Sequence, residues 1–218
     1  LPRLQGSGSR LAKTGDKLES FARDLRLTAD ERLNDAFDGI VEFPILEEET
    51  MSVRLKQLIS DTQSAFRAQP DAAKATFKSS SRLTEGFRSE ISIRQHRLAA
   101  DEPPALGGAD SGPNPVELIL AALGTCQEIT YRAYATAMGI PLDSVSVELA
   151  GNIDLRGFFA VDESVRSGYQ NIRGTVNIES SASEAELQQL RAAVDAHCPL
   201  RDVLTNKVPV SLSLSITH

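Results

Sequence analysis

From residue 11 to residue 66 the apolar positions recur three or four apart, the spacing of a helix face. Leu11, Leu18, Phe21 and Leu25 mark a first helix. Thr28 is placed to cap a second, with Asp30 and Glu31 in its first turn and Leu33, Phe37 and Ile40 along one side. Phe43-Pro44 ends it. A third helix begins at the acidic Glu47, Glu48 and Glu49, carries Met51, Leu55, Leu58, Ile59 and Phe66, and stops near Pro70. These stripes predict packing against the main body or a partner chain rather than a ligand site.

After Pro70 the period changes. Residues 74–82 and 86–98 suggest a hairpin turning at Thr84-Glu85-Gly86, with Phe87, Ser89, Ile91 and Ile93 in partial alternation. A long loop, 99–114, holds three prolines and three glycines, and a loop of that length inside a domain is usually functional. Asn114 is a good cap and Pro115 sits at the favoured first helical position, so a helix is predicted from Pro115 to about Met138, ended by Gly139. Its first half, Val116 to Gln127, is almost wholly apolar (Leu118, Ile119, Leu120, Ala121, Ala122, Leu123), which predicts burial on nearly every side, with Cys126 inside the buried stretch.

Strands are predicted over 145–149, 158–161 and 172–178. Ser183 and Glu186 form a capping box for a helix with Leu187, Leu190 and Val194 on one face, ending near His197. Cys198 then takes a cap position before Pro199, where a short helix to Leu204 can start. Val208, Val210, Leu212, Leu214 and Ile216 alternate with Pro209, Ser211, Ser213 and Ser215, predicting a last strand. The order favours an α+β fold with antiparallel sheet and helices on one side. One small curved sheet cannot cover a helix that is apolar all round, whereas sheets from two chains can, so a homodimer is expected.

The chain has 218 residues, 41% of them hydrophobic and 24% charged, as in a globular protein. Its net charge of −7 argues against nucleic acid as a partner. No run of 18 apolar residues is present, so no membrane span is expected. Residues 1–10 lack the apolar stretch of a secretory signal, which makes the cytoplasm the expected compartment.

Two cysteines, Cys126 and Cys198, remain as candidate chemistry. In a reducing compartment such a pair is inert core filling, part of a metal site or a redox device. Free cysteine is commonly buried as a small hydrophobe, and this reading stays open. Zinc is poorly served: there is no C-x-x-C, and His96, His197 and His218 lack ligand spacing. A reactive thiol needs a lowered pKa, because the thiolate is the nucleophile. Local sequence favours Cys198, at a helix start, over Cys126, about eleven residues into its helix. Cys126 would need a cation brought by tertiary structure.

Several motifs nevertheless resemble the OsmC/Ohr superfamily. The first set is Asp101-Glu102-Pro103, Gly107-Gly108 and Gly112-Pro113-Asn114-Pro115-Val116-Glu117-Leu118, leading into Ala121-Ala122-Leu123-Gly124-Thr125-Cys126. Further along come Gly139-Ile140, Gly151-Asn152-Ile153-Asp154 with Gly157, and His197-Cys198-Pro199-Leu200. The resemblance covers about residues 72–218. It divides the chain into a helical N-terminal extension, 1–70, and an OsmC-like domain, 71–218. It implies an intertwined homodimer, with antiparallel sheets wrapped around central cysteine-bearing helices and the active site at the subunit interface. It also implies that Cys126 attacks a small (organic) hydroperoxide to give a sulfenic acid, that Cys198 resolves this to a disulfide, and that an external dithiol, with no bound cofactor or metal, restores the pair. That order reverses the local reading of the two thiols.

In the peroxidase branches a Glu directly after the Asn-Pro pair holds an activating Arg. Here Val116 takes that place and the carboxylate is Glu117, about 100° further round the helix. Arg97, nearest the Asp101-Glu102-Pro103 motif, is the candidate activating cation, with Arg88 and Arg94 behind it. Each also fits an exposed strand charge. Glu117 equally fits a first-turn carboxylate that stabilises its helix, and His197 fits a bystander to Cys198. Two further functions stand beside the peroxidase: a non-catalytic binding or scaffold protein, with no Arg or His close to Cys126, and a redox sensor whose N-terminal helices recruit a partner.

Overall fold

The structure is a computed structural model that describes residues 48–217, with side chains from residue 52 onward. The two helices expected within residues 11–40 lie outside the described residues. The third is present as α1, Glu48–Ala68, which the Gln69-Pro70 step ends. Along its described part, Leu55, Ile59, Ala65 and Phe66 are half-buried and Val53 and Leu58 exposed.

The chain divides into two compact units, Leu1–Pro113 and Asn114–His218. In the first, β1 (Ser80–Glu85), β2 (Arg88–Ile93) and β3 (His96–Ala100) form an antiparallel sheet in that order. The expected turn at Gly86 is there, with φ of 55°. A second turn departs from the expected hairpin. It passes through Arg94 at φ 53° and splits 86–98 into two strands.

The loop after β3 is organised by Asp101, which is only 2% exposed. Its carboxylate accepts from the Glu102, Ala109 and Ser111 N–H groups at 2.8, 3.2 and 3.1 Å and from the Ser111 hydroxyl at 2.9 Å. These bonds, led by that from Ser111, hold the acid below the usual carboxylate range against the opposing effect of burial. Gly112 passes so close to the Ala99 carbonyl that a Cβ would sit 2.5 Å from its oxygen, which explains a glycine there.

The second unit begins with α2, Pro115–Met138. Asn114 accepts from the Val116 and Glu117 N–H groups, while Glu117 accepts from the Asn114 N–H at 2.8 Å, a complete capping box. Gly139, at φ 72°, closes the other end. β4 (Ser144–Ile153) pairs antiparallel with β5 (Tyr169–Glu179). Between them the strand expected at 158–161 is instead a helical turn, α3, Leu155–Phe158, capped by the Asp154 side chain. That carboxylate also takes Arg156, an ion pair at 2.6 Å, so local polar bonds override the apolar Phe158–Val161 run.

Next come α4, Glu184–His197, opened by the expected Ser183/Glu186 box, and α5, Pro199–Thr205. The core of this unit gathers Tyr131 and Ala135 of α2, Ile140 and Leu142 after it, and Leu190 and Val194 of α4, closed by Cys198. No helix is long and apolar enough to cross a membrane among the described residues.

Two expectations are not met within the single chain. The first half of α2, 116–127, is enclosed only in part: Gly124 and Gln127 are buried, none of Val116–Leu123 is, and Ile119 is 38% exposed. Residues 207–217 form no ladder, and Leu212 and Leu214 are 92% and 87% exposed. In both cases the apolar face is present and its cover is not supplied by the described residues. A strand needs a second edge for its N–H and C=O groups as well as an alternating pattern.

Candidate active site

Leu190, Val194 and Cys198 follow one another at intervals of four, one face of α4 carried on into its cap. Leu190 and Val194 are fully buried against Tyr131 and Ala135, themselves four apart on α2. This stripe on stripe brings the end of α4 alongside Cys126, which is half-buried just over one turn before Tyr131. Cys198 is pinned there by its own backbone: its N–H donates to Val194 O at 2.9 Å and its carbonyl accepts from Asp202 N–H at 3.0 Å.

The two sulfurs are 3.6 Å apart, within hydrogen-bonding distance of one another. Both cysteines are free thiols, Cys198 1% exposed and Cys126 more open. Disulfide formation would bring the sulfurs from 3.6 Å to about 2.05 Å, a local movement.

The local sequence expects the start of α5 to favour a thiolate on Cys198. Instead the Leu200 N–H, in its first turn, faces Cys126. Burial nonetheless pushes the Cys126 thiol up, and the neighbouring Cys198 sulfur adds to this. The Leu200 N–H and the Thr130 hydroxyl oppose it, and no cation is among the main influences. Thr130, whose hydroxyl donates to the Cys126 carbonyl at 2.7 Å, and Leu200 are site residues that sequence reasoning misses. A backbone donor leaves no trace in residue type, and Thr130 is marked only by its position four residues after Cys126.

The other candidates are engaged in local structure. Glu117 is committed to the cap of α2. Its charge, after burial, also raises the Tyr169 phenol, whose hydroxyl donates to the Val116 carbonyl at 2.7 Å. Arg97 lies in the first unit, exposed, its guanidinium donating to the Arg94 and His96 carbonyls at 3.3 and 3.2 Å. Arg94 approaches the His96 ring at 3.4 Å, and Arg88 is half-buried on β2. His197 stacks on Tyr134, ring centroids 5.1 Å apart, and its Nδ1 is bonded to Ala193 O at 2.8 Å. That fits the bystander reading. Among the described residues no three metal-type ligands converge.

Comparison with known proteins matches residues 108–213 to the family model described as OsmC-like protein. No curated protein matches the chain. Among solved structures, an OsmC-like protein from Mycoplasma pneumoniae superposes with a TM-score of 0.53 at 20% identity, over 61% of this chain and 89% of that one. A protein from Legionella pneumophila, described as an organic hydroperoxide resistance protein OsmC, reaches 0.49 at 22% identity, over 66% and 99%. The first likeness establishes the fold, a mixture of helices and antiparallel sheet. With the family match across both cysteine-bearing segments, residues 108–213 form an OsmC-like domain.

Proposed function

We propose that the chain is a thiol-dependent hydroperoxide reductase working through Cys126 and Cys198. The observation that carries this reading is the 3.6 Å separation of two free sulfurs delivered by different helices. Exposure supports Cys126 as the attacking thiol and Cys198 as the resolving one, since Cys126 is half-buried and Cys198 is enclosed. The Cys126 thiolate attacks the outer oxygen of R–O–O–H, the O–O bond breaks, and the alkoxide leaves as the alcohol once protonated. The Cys126 sulfenic acid is then displaced by the Cys198 sulfur, releasing water and forming the disulfide. An external dithiol returns both thiols by exchange.

Burial works against the thiolate, so a cation must offset it. Arg97 is the candidate, and an Arg97→Gln variant is expected to slow the peroxide step while leaving disulfide reduction unchanged. The uncovered half of α2 and the unpaired residues 207–217 support a homodimer, checked by mass in solution.

Titration of free thiols after one equivalent of cumene hydroperoxide tests the proposal. Two thiols lost per chain, with Cys126→Ser unreactive, is the expected outcome. No loss over hours would overturn it and favour a non-catalytic OsmC-like binding protein, the reading consistent with the absence of a cation among the main influences on Cys126.

A further inference from the structure

Thr130 stands four residues after Cys126 on α2, so the two side chains share one face of the helix. Helical side chains lean toward the N-terminus, which carries the Thr130 side chain over the turn that bears the Cys126 sulfur. Thr130 is 7% exposed, and its hydroxyl donates to the Cys126 carbonyl at 2.7 Å. That carbonyl does not depend on the hydroxyl, because the helix also brings it the backbone N–H four residues on. The hydroxyl proton thus goes to an acceptor already served, and rotation about the Cβ–Oγ bond can redirect it.

Other threonines of α2 bond back in the same way. Thr125 donates to the Ala121 carbonyl at 2.9 Å and Thr136 to the Arg132 carbonyl at 2.8 Å. The back-bond is a habit of helical threonine and by itself signals no function. What sets Thr130 apart is the residue at the far end of its turn. Thr125 is exposed and stands over an alanine, Thr136 stands over an arginine, and Thr130 is enclosed beside a thiol. Once ionised, the half-buried Cys126 sulfur carries a charge with little water around it, and such a charge needs donors. The Thr130 hydroxyl and the Leu200 N–H both favour the anion. A hydroxyl bonded to a charged sulfur gains more than one bonded to a helix carbonyl that is already satisfied.

We infer that Thr130 is the side-chain donor to the attacking sulfur: its O–H points to the Cys126 carbonyl while the thiol is protonated, and turns to Sγ when the thiol proton has left to solvent. This rests on Cys126 being the attacking residue of the proposed peroxidase and adds a catalytic group to it. The donor is neutral and comes from the same helix, so it acts whether or not a cation also reaches the sulfur.

Alkylation by iodoacetamide, followed on the Cys126 peptide by mass spectrometry across pH, tests this in the full chain. T130V keeps the shape and removes the hydroxyl, and T130S keeps the hydroxyl. T130V is expected to displace the pH profile upward, so that alkylation at about pH 7 slows about tenfold while the rate reached at high pH is unchanged. T130S is expected to follow the parent. If T130V loses its fold by circular dichroism, T130A is read in its place. An undisplaced profile in T130V, a rate lowered equally at every pH, or a T130S profile matching T130V would each overturn the inference. Cumene hydroperoxide titration of the parent judges the peroxidase separately. Two thiols lost there with an undisplaced T130V profile removes only the role of Thr130, whereas no loss with a displaced profile removes the peroxidase and leaves the hydroxyl–thiolate bond standing.

Discussion

Val116–Leu123, at the start of α2, is almost wholly apolar, yet none of its residues is buried; Tyr131 and Ala135, in the more polar second half, are 2% and 1% exposed. The difference lies in what each half meets. The second half faces Leu190 and Val194 on α4, four apart and matched to its own stripe. Over the first half, β4 and β5 leave an open groove. Cys126 stands between the two, close enough to the closed half to meet Cys198 and close enough to the open half to be reached. Composition therefore measures how much cover a helix needs, and the partners decide where it is covered.

The largest effects should come from the junction itself. Cys126→Ser is expected to reduce hydroperoxide consumption to the uncatalysed background, whereas Cys198→Ser should consume one equivalent and then accumulate a sulfenic acid trapped by dimedone. Equal behaviour of the two variants would remove the distinction between open and closed sides.

The next test concerns pH. Burial favours the neutral thiol, so the Cys126 pKa lies above its ordinary value and the thiolate fraction grows with pH. Alkylation of Cys126 by iodoacetamide should rise about tenfold per pH unit through the neutral range and keep rising to the ordinary thiol region. A profile that levels off below pH about 8 would mean that a cation reaches Cys126 in the assembled protein.

Stability separates the halves more directly. Leu190→Ala, in the closed half, should cost about 2–5 kcal/mol in urea unfolding. Ile119→Ala, in the open half, should cost below about 1 kcal/mol in a lone chain. A larger, concentration-dependent cost for Ile119→Ala would show that a second copy covers it. A similarly small effect is expected at the start of α4, where Ser183→Ala removes a cap worth about 1 kcal/mol.

Much of the local structure was legible because its causes are local. The Asn114/Glu117 and Ser183/Glu186 boxes, the Gly139 end of α2 and the Pro199 start of α5 each depend on residues a few positions apart. The turn at Arg94 is not legible, since an arginine at positive φ carries no turn signature. The run at 158–161 misleads, because Asp154 and Arg156, outside it, decide its conformation. Within the site, Cys198 lies four residues beyond Val194, so the face already marked by Leu187, Leu190 and Val194 pointed to it. What could not be read was the destination of the Leu200 N–H at the start of α5, which meets Cys126.

By itself the sequence determined the helices over 115–138, 184–197 and 199–205, their caps and the presence of two thiols in OsmC-like surroundings, since these follow from spacing and from bonds within a turn or two. Tertiary structure alone decided that sulfurs 72 positions apart come within 3.6 Å, that burial raises the outer one, and that an alternating segment at 207–217 lacks an edge within the described residues. Those outcomes depend on which surfaces meet in space, and a pattern along one chain specifies a face without specifying its partner.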